Sequence, residues 1–333
     1  MITDAIKNFP KQFEYEPTVE NAAGLKSHRR FIVAGMGGSH LAADILKSLR
    51  PDLDIMIHSD YGLPKWNEHD LVESLVIASS YSGNTEETID AFNTAREKNI
   101  PVVAIATGGK LLELAREYQA PFIQLPNTDI RPRMALGFSL RAMLLAMGEK
   151  GLLQETSQLA HTLKPEGFEG EGKALAQKLI GKVPLVYASA RNKAIAMNWK
   201  IVFNETGKIP AFYNVFPELN HNEMTGFSTT GGSASGGDIH LDIENLSRNF
   251  ACVMLLDPND HPKIHRRMEI LEKLYIDRGI PVHRVNLEGA SHLEQIFSSI
   301  LLATWTAIAL ADHYHVEAEQ VPMVEEFKKL INQ

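Results

Sequence analysis

The chain has 333 residues, enough for about two domains of ordinary size, each able to bury its own core. Its 33 basic residues against 41 acidic ones give a net charge of −8, which argues against a nucleic-acid or membrane-surface role. A single cysteine, Cys252, excludes an internal disulfide framework and suits a reducing compartment, so a cytoplasmic protein is expected.

The opening Met1-Ile-Thr-Asp-Ala-Ile-Lys7 has no basic segment followed by an apolar core, so no signal peptide is read. Apolar runs at residues 31–34, 54–58, 75–78, 102–106 and 121–125 predict strands separated by helical stretches or connecting loops. That alternation implies βαβ units and a parallel sheet. The first run hands over to Gly35-Met-Gly-Gly-Ser39-His40 and a helix at 41–49. The third hands over to Ser79-Ser-Tyr-Ser-Gly-Asn-Thr85-Glu-Glu87 and a helix at 88–98.

Hydroxyls and backbone N–H groups at a helix N-terminus attract an anion, and ligands of open α/β sheets collect beyond the strands' carboxyl ends. Together the two loops outline a cup for one phosphate. The competing reading makes the first loop a tight turn and the second a helix cap, with Glu86 and Glu87 filling the first turn. Neither loop is a nucleotide motif. The third glycine of a dinucleotide fingerprint is replaced by His40, and neither loop carries the Gly-Lys-Ser/Thr of a P-loop.

Residues 136–147 then read as a helix ending at 148–151, and the Glu- and Gly-rich segment 164–172 reads as a linker. A second block has strands at 183–188, 250–256 and 282–285 and helices at 263–278 and 292–312. Cys252 falls in its middle strand and should be buried. The apolar stretch 300–311 is too short to span a bilayer and is interrupted by Thr304 and Thr306. A last helix at 323–331 is amphipathic and basic at its end. Two similar α/β halves suggest a duplicated fold. His261 and His265 lie one helical turn apart, a spacing that can ligate zinc, but no third ligand is placed and no metal is expected.

The two loops, with Pro132-Arg133, Leu136-Gly137, Asn204-Glu205 and Glu218-Leu-Asn-His-Asn-Glu223, closely resemble the bifunctional phosphoglucose/phosphomannose isomerases. The resemblance runs over essentially the whole chain. It implies an α/β fold of two sugar-isomerase (SIS) domains, at residues 1–150 and 151–333. Each would be a parallel sheet flanked by helices in a flavodoxin-like three-layer sandwich, and the second would carry the terminal helix. It also implies a cofactor-free isomerase of glucose 6-phosphate, mannose 6-phosphate and fructose 6-phosphate, acting as a homodimer with shared active sites.

The chemistry read from the residues agrees. Moving a proton between C1 and C2 through an enediolate needs a phosphate anchor, an acid–base group to open the ring and a positioned carboxylate; His221 suits the second task and Glu205 the third. By resemblance, Gly38, Ser39, Ser80, Ser82 and Thr85 hold the phosphate and the sugar end, and Glu205 is the base. Arg133 would stabilise the enediolate charge. His221 would open the ring from the neighbouring subunit, and Lys328 would assist it. Each has a plainer reading: Arg133 as a surface arginine at a helix start, Glu205 and His221 as a loop pair without a role, Lys328 or its neighbour Lys329 as soluble surface. Glu218 and Glu223 rank as structural or orienting.

The chain departs from the family near its end. Thr304-Trp305 and Glu317-Ala-Glu-Gln-Val-Pro322 stand where an aspartate and an Asp-Pro pair are usual, which leaves the glucose–mannose balance open. Two other functions remain: an SIS enzyme of another phosphosugar or amino sugar, and a sugar-phosphate-binding regulator. Against the regulator, the chain is acidic and carries no added DNA-binding helices.

Overall fold

A computed structural model of the chain describes residues 2–228 and 246–331. The backbone divides into two compact units, residues 2–164 and 165–333.

The first unit is built on five strands: β1 (Arg30–Ala34), β2 (Asp54–His58), β3 (Ser74–Ser79), β4 (Val102–Ala106) and β5 (Phe122–Gln124). They are all parallel, in the order β2-β1-β3-β4-β5. β3 and β4 are buried along their whole length, which is why they read as unbroken apolar runs rather than as an alternation. Helices Leu41–Leu49 and Leu136–Met147 pack together on one face, and Glu86–Glu97 and Gly109–Glu117 on the other, giving three layers. Gly148 ends helix Leu136–Met147 in the left-handed region at φ 78°, as the sequence anticipates.

The second unit repeats the plan with four parallel strands, β6 (Val183–Ser189), β7 (Phe212–Phe216), β8 (Phe250–Leu256) and β9 (Val282–Asn286), in the order β7-β6-β8-β9. β6 and β8 match β1 and β3 as the central pair. Helices Glu169–Leu179, Lys193–Glu205 and His292–Tyr314 pack as one group. Pro262–Ile276 covers the opposite face through Met268, Leu271 and Tyr275. Cys252 is fully buried in β8.

Three sequence expectations need correction. The segment 164–172 is no linker: Pro165–Phe168 is a 3₁₀ turn and Glu169 starts a helix running to Leu179. Gly172 lets that helix approach His292–Tyr314 closely, since a Cβ there would stand 2.6 Å from Trp305 Cβ and 2.9 Å from the Thr306 nitrogen. Strand β7 and helix Lys193–Glu205 correspond to no element expected from the sequence. The apolar run is longer than residues 300–311: the expected helix runs His292–Tyr314 and contains Thr304 and Thr306, whose hydroxyls bond the carbonyls four residues back, Ile300 and Leu302, at 2.8 Å. That helix is long and apolar enough to cross a membrane, yet 89% of its apolar window is buried inside the unit, which makes it a core helix.

Candidate active site

In the first unit the two loops stand at the carboxyl ends of the adjacent central strands β1 and β3, and they are tied to each other. Ser39 Oγ accepts from the Tyr81 N–H at 3.1 Å, and Ser79 Oγ donates to the Ser39 carbonyl at 3.0 Å. Inside the second loop, Ser80 Oγ and Thr85 Oγ1 are 2.8 Å apart, and Ser80 Oγ also accepts from the Gly83 N–H at 3.1 Å. Ser82 Oγ accepts from the Asn84 N–H at 3.3 Å and is exposed. Thr85 sits at the N-cap of Glu86–Glu97 but its hydroxyl makes no capping bond. The plain helix-cap reading therefore fails for Thr85, whose hydroxyl faces Ser80 across the mouth of the loop.

Arg133 joins this cluster. Its 3₁₀ turn, Pro132–Met134, lies directly against the first loop: a Cβ on Gly38 would stand 3.0 Å from the Arg133 nitrogen and 3.1 Å from Pro132 Cβ. Only glycine allows that approach. Arg133 is 2% exposed, so it is not a surface arginine. Gly38, Ser39, Ser80, Ser82, Thr85 and Arg133 thus share one end of one sheet.

In the second unit, Glu205 is the last residue of helix Lys193–Glu205 and is half-buried. The preceding Asn204 accepts from the Ala211 N–H at 2.9 Å, fastening the end of the helix to the start of β7. His221 ends the 3₁₀ turn Glu218–His221, beyond the other end of β7, and is exposed. The five-residue strand β7 lies between Glu205 and His221 along the chain.

Lys328 lies on the terminal helix Pro322–Ile331, where its Nζ bonds Glu325 Oε1 at 3.0 Å and its side chain is 60% exposed. His261 caps helix Pro262–Ile276 by accepting from the Lys263 N–H at 3.1 Å, which accounts for that histidine structurally.

The sequence reading missed two supporting groups. Gly108 and Gly109 follow β4 and back the serine loop, where Asn84 Oδ1 accepts from the Lys110 N–H at 3.0 Å; the Thr107-Gly-Gly run at a strand's carboxyl end was the available signal. Tyr187 and Asn214 hold Glu223, and no local motif announces them.

Residues 168–331 match the family described as the bacterial phospho-glucose isomerase C-terminal SIS domain. A bifunctional phosphoglucose/phosphomannose isomerase of Caldicellulosiruptor bescii is 32% identical, over 98% of this chain and 97% of its own length. A D-glucosamine-6-phosphate 4-epimerase of Sulfolobus acidocaldarius is 30% identical over 67% of this chain and 72% of its own. Among solved structures, a hypothetical protein from Thermus thermophilus shares the fold at a TM-score of 0.68 and 15% identity, over 99% of this chain and 87% of that one.

Proposed function

The chain belongs to the bifunctional phosphoglucose/phosphomannose isomerase family, and we propose that it interconverts glucose 6-phosphate and mannose 6-phosphate with fructose 6-phosphate without a cofactor. The observation that carries this reading is the pair of hydroxyl-rich loops tied together by Ser39 and Tyr81 at the ends of β1 and β3. Ligands of open α/β sheets bind at that place, and the loops carry neither a nucleotide fingerprint nor a P-loop lysine.

In this mechanism Ser39, Ser80, Ser82 and Thr85, with the backbone at Gly38, hold the phosphate and fix the sugar. His221 carries a proton from the anomeric hydroxyl to the ring oxygen as the bond between that oxygen and the anomeric carbon breaks, opening the ring, with Lys328 assisting. Glu205 takes the proton from C2 of the aldose and returns it to C1 while the O2 hydroxyl proton passes to O1, so that the carbonyl moves from C1 to C2 through an enediolate. The Arg133 guanidinium stabilises the negative charge of that intermediate; its burial supports the role, because a buried arginine acts in a low dielectric. The same steps run backwards from fructose 6-phosphate, and protonation of C2 from one face or the other yields glucose or mannose 6-phosphate.

The two SIS domains are assigned to residues 1–150 and 151–333, the joining segment up to 164 lying in the first compact unit. The working form is proposed to be a homodimer in which His221 serves the partner's site. What supports this is the exposure of His221 and its place beyond β7 from Glu205 along the chain. A cytoplasmic location rests on the negative charge and the lone buried cysteine.

The test is turnover of fructose 6-phosphate, scoring both aldose products in one coupled assay; no conversion to either product would overturn the reading. The epimerase relative favours one alternative, an amino-sugar phosphate as substrate. Glucosamine 6-phosphate in the same assay series separates the two: its turnover in place of fructose 6-phosphate would establish the alternative.

A further inference from the structure

Glu223 of the Glu218–Glu223 run belongs to no step above, yet both oxygens of its carboxylate are bonded. Its Oε1 accepts from Tyr187 Oη at 2.5 Å, and its Oε2 accepts from Asn214 Nδ2. Tyr187 comes from the central strand β6 and Asn214 from β7. Tyr187 Oη also lies 3.3 Å from Tyr275 Oη on helix Pro262–Ile276, so two strands hold the carboxylate and a helix backs one of its donors. Burial raises the Tyr187 phenol well above its ordinary pKa, which keeps it a neutral donor.

The run is anchored on both sides of His221. Leu219 is fully buried in the apolar cluster beneath it, while Glu223 is clamped as described. Between them, Asn222 Nδ2 bonds Glu218 Oε1 at 2.8 Å and Asn222 Oδ1 accepts from the Glu223 N–H at 2.5 Å. Met224 and Phe227 continue the anchorage, the Phe227 ring meeting that of Tyr275 at a tilt with centroids 5.3 Å apart. An exposed histidine held between two fixed points has a defined direction of approach although it lies at the surface.

We propose that Glu223 is a positioning residue for ring opening: gripped by Tyr187 and Asn214, its carboxylate fixes the turn that presents His221 to the sugar. The proposal rests on the reading of His221 as the ring-opening group. It requires no contact between Glu223 and substrate, and it gives the two carboxylates of the second unit separate tasks, proton transfer for Glu205 and orientation for Glu223.

The test isolates ring opening from proton transfer. In a Glu205→Gln background, which should not isomerise, exchange between the α and β anomers of glucose 6-phosphate is followed by magnetisation-transfer NMR. The enzyme's acceleration of that exchange reports ring opening alone. Glu223→Gln keeps an acceptor for Tyr187 but sets an amide against Asn214 Nδ2; Asn214→Asp added to it restores one donor facing one acceptor. Glu223→Gln should slow the catalysed exchange by about tenfold to a hundredfold, as small misplacements of a catalytic group do, with sugar-phosphate affinity little changed. Adding Asn214→Asp should recover most of it.

Fast exchange retained in Glu223→Gln but lost in His221→Ala overturns the positioning role and leaves His221 in place. Exchange retained in His221→Ala overturns the ring-opening reading itself. A loss in Glu223→Gln that extends to substrate affinity and is not restored by Asn214→Asp marks Glu223 as merely structural and also overturns the proposal. If Glu223→Gln fails to fold, Tyr187→Phe, which deletes one bond and keeps the ring, carries the same comparison with the same outcomes.

Discussion

Ser80 and Thr85 share a 2.8 Å hydrogen bond between their hydroxyls, five residues apart across the mouth of the serine loop. Two hydroxyls already fixed against each other need little further ordering to accept a phosphate, so the loop's contribution is binding rather than chemistry. Contacts made equally in the ground and transition states set KM and spare kcat. Replacing Ser82 and Thr85 together by Ala should therefore raise KM for fructose 6-phosphate by about tenfold to a hundredfold, the worth of hydrogen bonds to a charged group, with kcat within about threefold. Steady-state kinetics decides it: a fall in kcat at fixed KM would move these residues to the reacting end of the sugar.

Much of this cup was legible because its two supports, β1 and β3, are buried on both faces and read as continuous apolar runs. The loops between them and their helices could then be placed without ambiguity. β7 was not legible. As an edge strand it is only half-buried, and Asn214 breaks its apolar character in order to hold a carboxylate nine residues on. The glycines of 164–172 misled for a related reason: a helix that packs against another at close range needs a small residue, and composition alone cannot tell that from a flexible link. Glu205 and His221 could be named by resemblance, but the strand between them belongs to the path of the chain.

Gly170 and Gly172 lie in the same helix and should respond oppositely to alanine. Nothing lies within 4 Å of a Cβ at Gly170, so Gly170→Ala gains helix propensity, up to ~1 kcal/mol, and should raise Tm slightly. A Cβ at Gly172 would stand 2.9 Å from the Thr306 backbone nitrogen, which cannot rotate away as a side chain would. Gly172→Ala should destabilise by about 1–3 kcal/mol despite the same propensity gain. Thermal unfolding of both variants settles it; equal Tm shifts would mean that the close approach of the two helices is wrongly placed.

Asp257 carries a pH dependence of stability. Burial pushes its carboxyl up, but the Asn192 side chain at 3.0 Å, the Asn259 N–H at 2.9 Å and the Arg191 guanidinium outweigh burial and hold it below the ordinary carboxylate range. A depressed folded pKa means the stabilisation is present above the unfolded value of about 3.9 and is lost as pH falls through the folded one. Asp257→Asn should thus destabilise at pH 7 by about 1–3 kcal/mol, since it turns an amide donor toward existing donors. The gap from the parent chain should narrow below about pH 4. Denaturant titrations at several pH values check this; a gap that stays constant well into the acid range would contradict it.

Glu205 ends the helix before β7 and His221 ends the turn after it. Under the proposed function His221 serves the partner's site, so the two groups that act on one substrate molecule come from different chains. Glu205→Gln keeps shape and hydrogen bonding and removes the base; alone it should bind substrate and lose isomerisation by about 10²–10⁴. His221→Ala alone should be similarly impaired on ring-closed substrate. In a two-fold dimer that shares residues across its interface, a mixed dimer of these variants contains one site with both defects and one with neither. Mixing two inactive proteins under conditions of subunit exchange should then recover up to about a quarter of the wild-type activity, since half of the dimers are mixed and each has one intact site. Differently tagged subunits, co-purified after mixing, show that exchange has occurred. Co-purified mixed dimers that remain inactive would place both residues in the same chain's site, or remove one of them from the mechanism.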